Sequence, residues 1–142
     1  MDTDTSGRAI VDALTAAGHA VADRQLVRDE PGDVTAIVRR WIARGDIQAI
    51  VTTGGTGLSR RDSTYEALSS IFERRIDGFG ELFRALSFQE IGPAAMLSRA
   101  TAGTCGDCAI FMLPGSESAV RLAMERLIVP ELAHVVGQMG KV

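Results

Sequence analysis

Hydrophobic spacing along the chain alternates between helical and strand-like stretches. Residues 8–17 place Ile10, Val11, Leu14 and Ala17 at helical spacing behind Thr3-Asp4-Thr5-Ser6-Gly7, a cluster of cap formers, and Gly18 stands where that helix should end. Residues 19–27 alternate enough to predict a strand, closing at Arg28-Asp29-Glu30-Pro31-Gly32. From Asp33, a natural cap, Val34, Ile37, Val38, Trp41 and Ile42 share one helical face until Gly45-Asp46 closes it. Residues 47–53 form a short β-branched run that predicts a buried strand.

The second half continues in kind. Residues 64–75 predict a helix with Leu68, Ile71 and Phe72 inward; Gly78-Phe79-Gly80 then interrupts before a short helix over 81–86 and another over 91–96. Residues 97–102 and 109–113 predict two strands around the turn region Gly103-Thr104-Cys105-Gly106-Asp107-Cys108. Leu113-Pro114-Gly115-Ser116 leads into a helix over 119–127 that Ser116 can cap, and Pro130 restarts a last helix. Helices alternating with short apolar strands predict one α/β domain over residues 1–142. The expected fold is a three-layer α/β/α sandwich with a mostly parallel central sheet plus a hairpin.

Composition narrows the function classes. A net charge of −3 and 5% aromatic residues argue against a nucleic-acid partner, which wants a basic surface and stacking rings. No apolar run approaches the ~18 residues of a membrane span, and Met1-Asp2-Thr3-Asp4 carries no signal region, so a cytoplasmic location is expected. Cys105-Gly106-Asp107-Cys108 is a lone C-x-x-C; His19 and His134 offer no supporting zinc spacing, and free thiols are expected over a disulfide across the hairpin.

The candidate chemistry lies in Ala49–Asp62, A-I-V-T-T-G-G-T-G-L-S-R-R-D. A strand discharging into Gly54-Gly55-Thr56-Gly57 and then a helix bares backbone N–H groups, and the helix that follows presents its positive end, as an anion site requires. Neither common phosphate fingerprint fits: Gly57-Leu58-Ser59 lacks the lysine of a Walker loop, and Arg60 stands where a dinucleotide motif needs a small residue. A simple tight turn is the plainer alternative. Asp29 and Asp62 each follow a predicted strand end, where a parallel sheet gathers its ligand-binding groups. Two such carboxylates could hold Mg²⁺, or could cap a helix and close a turn. Arg60-Arg61 supplies cationic donors, and Ser116 can cap a helix or meet a ligand beside Gly115.

The stretches T-T-G-G-T-G-L-S-R-R-D-S-T-Y-E-A, G-F-G-E-L-F-R, I-G-P-A-A-M-L-S-R-A-T-A-G and L-P-G-S together resemble the MoaB/MogA family of molybdenum-cofactor biosynthesis, and the MoaB branch more closely. The resemblance covers nearly the whole chain. It implies adenylylation of molybdopterin by Mg-ATP with release of pyrophosphate, in a homotrimer or homohexamer, with the molybdate-inserting enzyme of the pathway as a further partner. It implies that Gly54, Gly55, Thr56, Gly57, Pro114, Gly115 and Ser116 line the pocket, with Ser59, Arg61 and Ser98 as further binding residues. Asp29 and Asp62 match the two acidic positions tied to the reaction, with Asp62 as a magnesium ligand. A homologue that binds pterin or nucleotide without catalysing, as an assembly partner, is the alternative. The family pattern also places a strand ahead of the D-T-S-G cap, and the sequence opens on the cap, so the sheet is expected to lack that strand.

Overall fold

The computed structural model describes residues 4–27 and 30–141. Its elements are helix α1 (Thr5–Ala16), helix α2 (Pro31–Arg44), strand β1 (Ala49–Thr53), helix α3 (Thr64–Ser69), strand β2 (Arg74–Arg75), helix α4 (Asp77–Ile91), a 3₁₀ turn (Gly92–Leu97), strands β3 (Thr101–Cys105) and β4 (Cys108–Leu113), helix α5 (Glu117–Ala123), a π-helical turn (Met124–Ile128) and helix α6 (Val129–Met139).

The sheet order is β1-β4-β3-β2, with helices on both faces, so the α/β sandwich stands. Its strand directions differ from expectation. Only β1 and β4 run parallel; β3–β4 and β2–β3 are antiparallel, so among the described residues the sheet is mostly antiparallel. β4 is buried along all six residues, and the period of two explains why. Ala109, Phe111 and Leu113 face the cluster built with α1, α4, α5 and α6, where Phe79 meets Phe111 edge-on with ring centroids 5.4 Å apart. Cys108, Ile110 and Met112 face the opposite cluster with Val38 of α2, Ile50 of β1 and Leu68 of α3.

Four predicted elements change, the first being the strand over 97–102, which begins only at Thr101 because Gly92–Leu97 is a 3₁₀ turn. Residues 19–27 join no ladder: residues 20–26 are exposed, and the stretch is tethered by side chains instead, Arg24 to Asp4 at 2.8 Å and the Trp41 indole N–H to Asp23 at 3.0 Å. Alternation marks a strand only where a neighbour supplies the hydrogen bonds, and no described strand pairs with the other edge of β1. The helix over 64–75 stops at Ser69, because Arg74–Arg75 pairs with Gly103 and Thr104 as β2. The Gly78-Phe79-Gly80 interruption is instead the first turn of α4, which runs unbroken to Ile91. A Cβ on Gly80 would come within 2.7 Å of the Ala100 carbonyl, so this glycine lets the helix pack close to the start of β3.

The hairpin is tighter than expected: Cys105 pairs with Cys108 around Gly106-Asp107, and Gly106 takes φ 58°. Both cysteines are free thiols. The Cys108 thiol donates to the Ile47 carbonyl at 2.9 Å, and burial, then the charge of Asp107, push its pKa up. The cap of α2 also moves, to Glu30, with Asp33 inside the first turn.

Candidate functional site

Because β1 and β4 are parallel neighbours in register, Thr53 beside Leu113, their loops leave the sheet side by side. The Gly54 N–H donates to the Leu113 carbonyl at 2.9 Å. Gly115 packs so near that its Cβ would lie 3.6 Å from the Gly54 Cα. Gly54, Gly55, Thr56, Gly57, Asp62, Ser98, Pro114 and Gly115 thereby line one cavity of about 290 Å³. Gly54 and Gly55 take φ of 92° and 74°, backbone that favours glycine, which is what the double glycine supplies to the turn.

Asp62 borders both this cavity and a second of about 500 Å³, lined also by Leu58, Ser59, Arg60, Ser63, Glu66, Ala67 and Arg99. Its Oδ2 accepts the Ser59 N–H at 2.9 Å, and a Cβ on Gly57 would come within 2.7 Å of the same oxygen. Gly57 therefore gives the carboxylate its place against the loop. Magnesium prefers carboxylate and phosphate oxygens in an octahedral shell. Among the described residues no group of three or more His, Cys, Asp or Glu gathers to cage a metal.

The remaining predicted site residues fall as follows. Asp29 lies outside the described residues. Ser59 borders the larger cavity, and it is Arg60, not Arg61, that borders it with Ser59; the Arg61 N–H donates to the Ser59 hydroxyl at 3.3 Å. Ser98 borders the smaller cavity while its hydroxyl accepts the Ala100 N–H at 3.2 Å. The Ser116 hydroxyl accepts the Ala119 N–H at 3.3 Å, so it caps α5 and borders neither cavity. The helix after the glycine loop, α3, has only six residues, so the loop amides rather than a helix dipole supply the positive potential.

Two residues that sequence reasoning passed over hold the site together. Arg99 donates to the carbonyls of Thr56, Gly57 and Asp62, pairs with Glu66, and lies with its guanidinium carbon 4.4 Å from the centre of the Tyr65 ring. Ser6 donates to the Gly115 carbonyl at 2.7 Å, tying the second loop to α1. A lone arginine between Ser98 and Ala100, inside a stretch that reads as strand, was the one available signal for the first.

Comparison with known proteins agrees with this geometry. Residues 2–134 match the family described as "Probable molybdopterin binding domain". The chain is 50% identical over 141 residues to the molybdenum cofactor biosynthesis protein B of Halalkalibacterium halodurans, covering 99% of this chain and 83% of that protein. A crystal structure of a molybdenum cofactor biosynthesis protein B superposes with TM-score 0.93 at 44% identity, over 96% of this chain and 86% of the other. The tungsten cofactor synthesizing protein MoaB of Pyrococcus furiosus superposes with TM-score 0.90 at 37% identity, over 99% and 88%. With sheet, loops and paired cavities in place and these likenesses along nearly its full length, the chain belongs to the MoaB/MogA family of molybdopterin-binding domains.

Proposed function

We propose that the protein acts in molybdenum-cofactor biosynthesis as a molybdopterin adenylyltransferase of the cytoplasm. The observation that carries this reading is the shared wall: among the described residues Asp62 alone borders both cavities, so two substrates bound on either side of residues 57–62 would meet at its carboxylate. The reaction is a phosphoryl transfer. An oxygen of the molybdopterin phosphate attacks the α-phosphorus of ATP, a new P–O–P bond forms, and the α–β bridging bond breaks with its electron pair leaving on pyrophosphate. A phosphate nucleophile is already ionised at neutral pH, so no general base is required. What remains is positioning and neutralising charge on the non-bridging oxygens.

The residues suit those tasks. Backbone N–H groups of the glycine loop and of Gly115 would serve phosphate oxygens, Arg60 and Arg61 would add cationic charge, and Asp62 would be the carboxylate to hold Mg²⁺ carried in by ATP. Bound magnesium would supply charge neutralisation at the triphosphate. Asp29 is assigned the second acidic role by the family resemblance alone, since residues 19–27 form no strand to end beside the site.

Assembly is part of the proposal. Phe88, Ile91, Met96 and Leu97, at the end of α4 and the turn after it, are each more than half exposed. A cluster of apolar side chains in water marks a contact surface, and a homotrimer or homohexamer would cover it. Sizing by light scattering is expected to show an oligomer that Ile91→Asp dissociates; a stable wild-type monomer would refute the assembly.

The functional test incubates the protein with molybdopterin and Mg-ATP and resolves adenylyl-molybdopterin by chromatography. Wild type should form product and Asp62→Ala should bind molybdopterin without forming it. A folded wild type that binds molybdopterin and makes no product would overturn the enzyme reading and leave a binding protein.

A further inference from the structure

We propose that Arg99 is a positioning residue that creates the anion-binding face of the glycine loop by gripping the loop's carbonyls, and does not itself contact an anion held in the smaller cavity. The proposal rests on the adenylyltransferase reading only for the identity of the anion. Its physical basis is the planar trans peptide, in which C=O and N–H point in opposite directions.

Four carbonyls around the loop are held on one side. The Tyr65 N–H donates to the Gly55 carbonyl at 3.2 Å. Arg99 Nε donates to Thr56 at 3.2 Å and to Gly57 at 3.1 Å, while its Nη2 donates to Gly57 at 2.7 Å and Asp62 at 3.2 Å. Turning the carbonyls of Gly55, Thr56 and Gly57 toward Arg99 and α3 sends the N–H groups of Thr56, Gly57 and Leu58 the other way. Among the described residues none of these three N–H groups meets a protein acceptor. Gly55, Thr56 and Gly57 border the smaller cavity, which Arg99 does not border, whereas Leu58 borders the larger cavity, as Arg99 does. Successive amides converging on one hollow make a nest for an anion.

The guanidinium is itself fixed. Glu66 pairs with its Nη1, and the Tyr65 ring lies against its plane. An arginine with its donors committed to backbone carbonyls and a carboxylate has little left for a phosphate. The planar fork is what allows one side chain to reach three carbonyls, and a lysine ammonium at the same place is a point charge without that spread. Charge alone should therefore not substitute for Arg99.

The test compares wild type, Arg99→Lys and Arg99→Ala by amide NMR of the ligand-free protein and by titration with inorganic pyrophosphate. Expected are shifted resonances for residues 55–58 in both variants with Ile110–Leu113 unmoved, and pyrophosphate binding weakened about tenfold or more in Arg99→Lys. Added guanidinium ion should restore both readouts in Arg99→Ala and not in Arg99→Lys. Unchanged free-protein loop resonances in Arg99→Lys, or full binding by that variant, would overturn the proposal. If wild type itself binds no pyrophosphate, the anion assignment fails with the functional reading, while the loop resonances still decide the grip.

Discussion

The loop after β1 hangs three of its carbonyls, those of Thr56, Gly57 and Asp62, on one cation, Arg99, whereas the loop after β4 hangs its two on neutral hydroxyls from different elements. Thr53 of β1 donates to Pro114 at 2.8 Å, and Ser6 of α1 donates to Gly115 at 2.7 Å. Both devices hold backbone carbonyls, and a planar trans peptide then points the next residue's N–H the opposite way. They differ in how they fail. The short loop has two independent ties, each of ordinary hydrogen-bond strength, and closes at once into α5. The long loop has one side chain at its centre, so a single substitution releases several peptides together. A loop that must accommodate two cavities can be longer only if something holds it, and here that something is charged.

The largest effect that would sharpen this comparison is expected at Asp62. Asp62→Ala removes a carboxylate from both cavities and the acceptor of the Ser59 N–H. Adenylyl transfer should fall by about 10²–10³-fold, the range seen when one preorganised electrostatic group is lost, with molybdopterin binding retained in an equilibrium titration. Gly57→Ala comes next. Its Cβ would press within 2.7 Å of the Asp62 oxygen, so the carboxylate must shift, and misplacement by about an ångström is expected to cost up to about a hundredfold in kcat with little change in thermal midpoint.

Ser6→Ala should be milder. Losing one neutral hydrogen bond to Gly115 costs about 1 kcal/mol in a chemical-denaturation curve. Because Thr53 still holds Pro114, turnover should drop only severalfold. An Arg99-sized loss from Ser6→Ala would break the comparison, since it would make the hydroxyl ties as central as the cation.

The smallest effect is in acid. The hydrogen bond from Arg99, then its own backbone amide, hold the Glu66 carboxyl below its ordinary value. A carboxyl whose folded pKa is depressed stabilises above its unfolded pKa, about 4.3 for glutamate, and that contribution is lost as pH falls through the folded value. Loop resonances of residues 55–58 should therefore move as pH falls below about 4, while those of Gly115 and Ser116, tied to groups that do not titrate there, stay still at that step. Equal movement of both loops would show that Glu66 has no special hold on the longer one.

Much of this site was legible because it follows from strand exits. A β-branched run ending in Gly54-Gly55, and another apolar run ending in Pro114-Gly115, were enough to place two loops at one sheet edge, and the parallel register of β1 and β4 set them side by side. Asp62 was found by the same reasoning. Arg99 was not, because its partners are carbonyls 37 to 43 positions away and no periodicity reports a side chain that binds backbone. Ser6 was read only as part of a cap cluster, although Asp4 is the residue whose carboxylate caps α1 and Ser6 points across to Gly115. Ser116 was read both as a cap and as a binding candidate, and its hydroxyl takes the cap. In the fold, alternation over residues 19–27 imitated a strand that no ladder supports, and the glycines of α4 imitated a break where close packing on Ala100 needs a missing side chain. For Arg99, Ser6 and Gly80 the deciding partner was distant in sequence.

The central claim, that the two cavities joined at Asp62 serve one adenylyl transfer, is tested most directly by rapid mixing of the wild-type protein with molybdopterin and Mg-ATP while released pyrophosphate is followed. The account predicts one pyrophosphate for each adenylyl-molybdopterin formed, and none when molybdopterin is omitted. Saturation with molybdopterin and no pyrophosphate release from folded protein would contradict it.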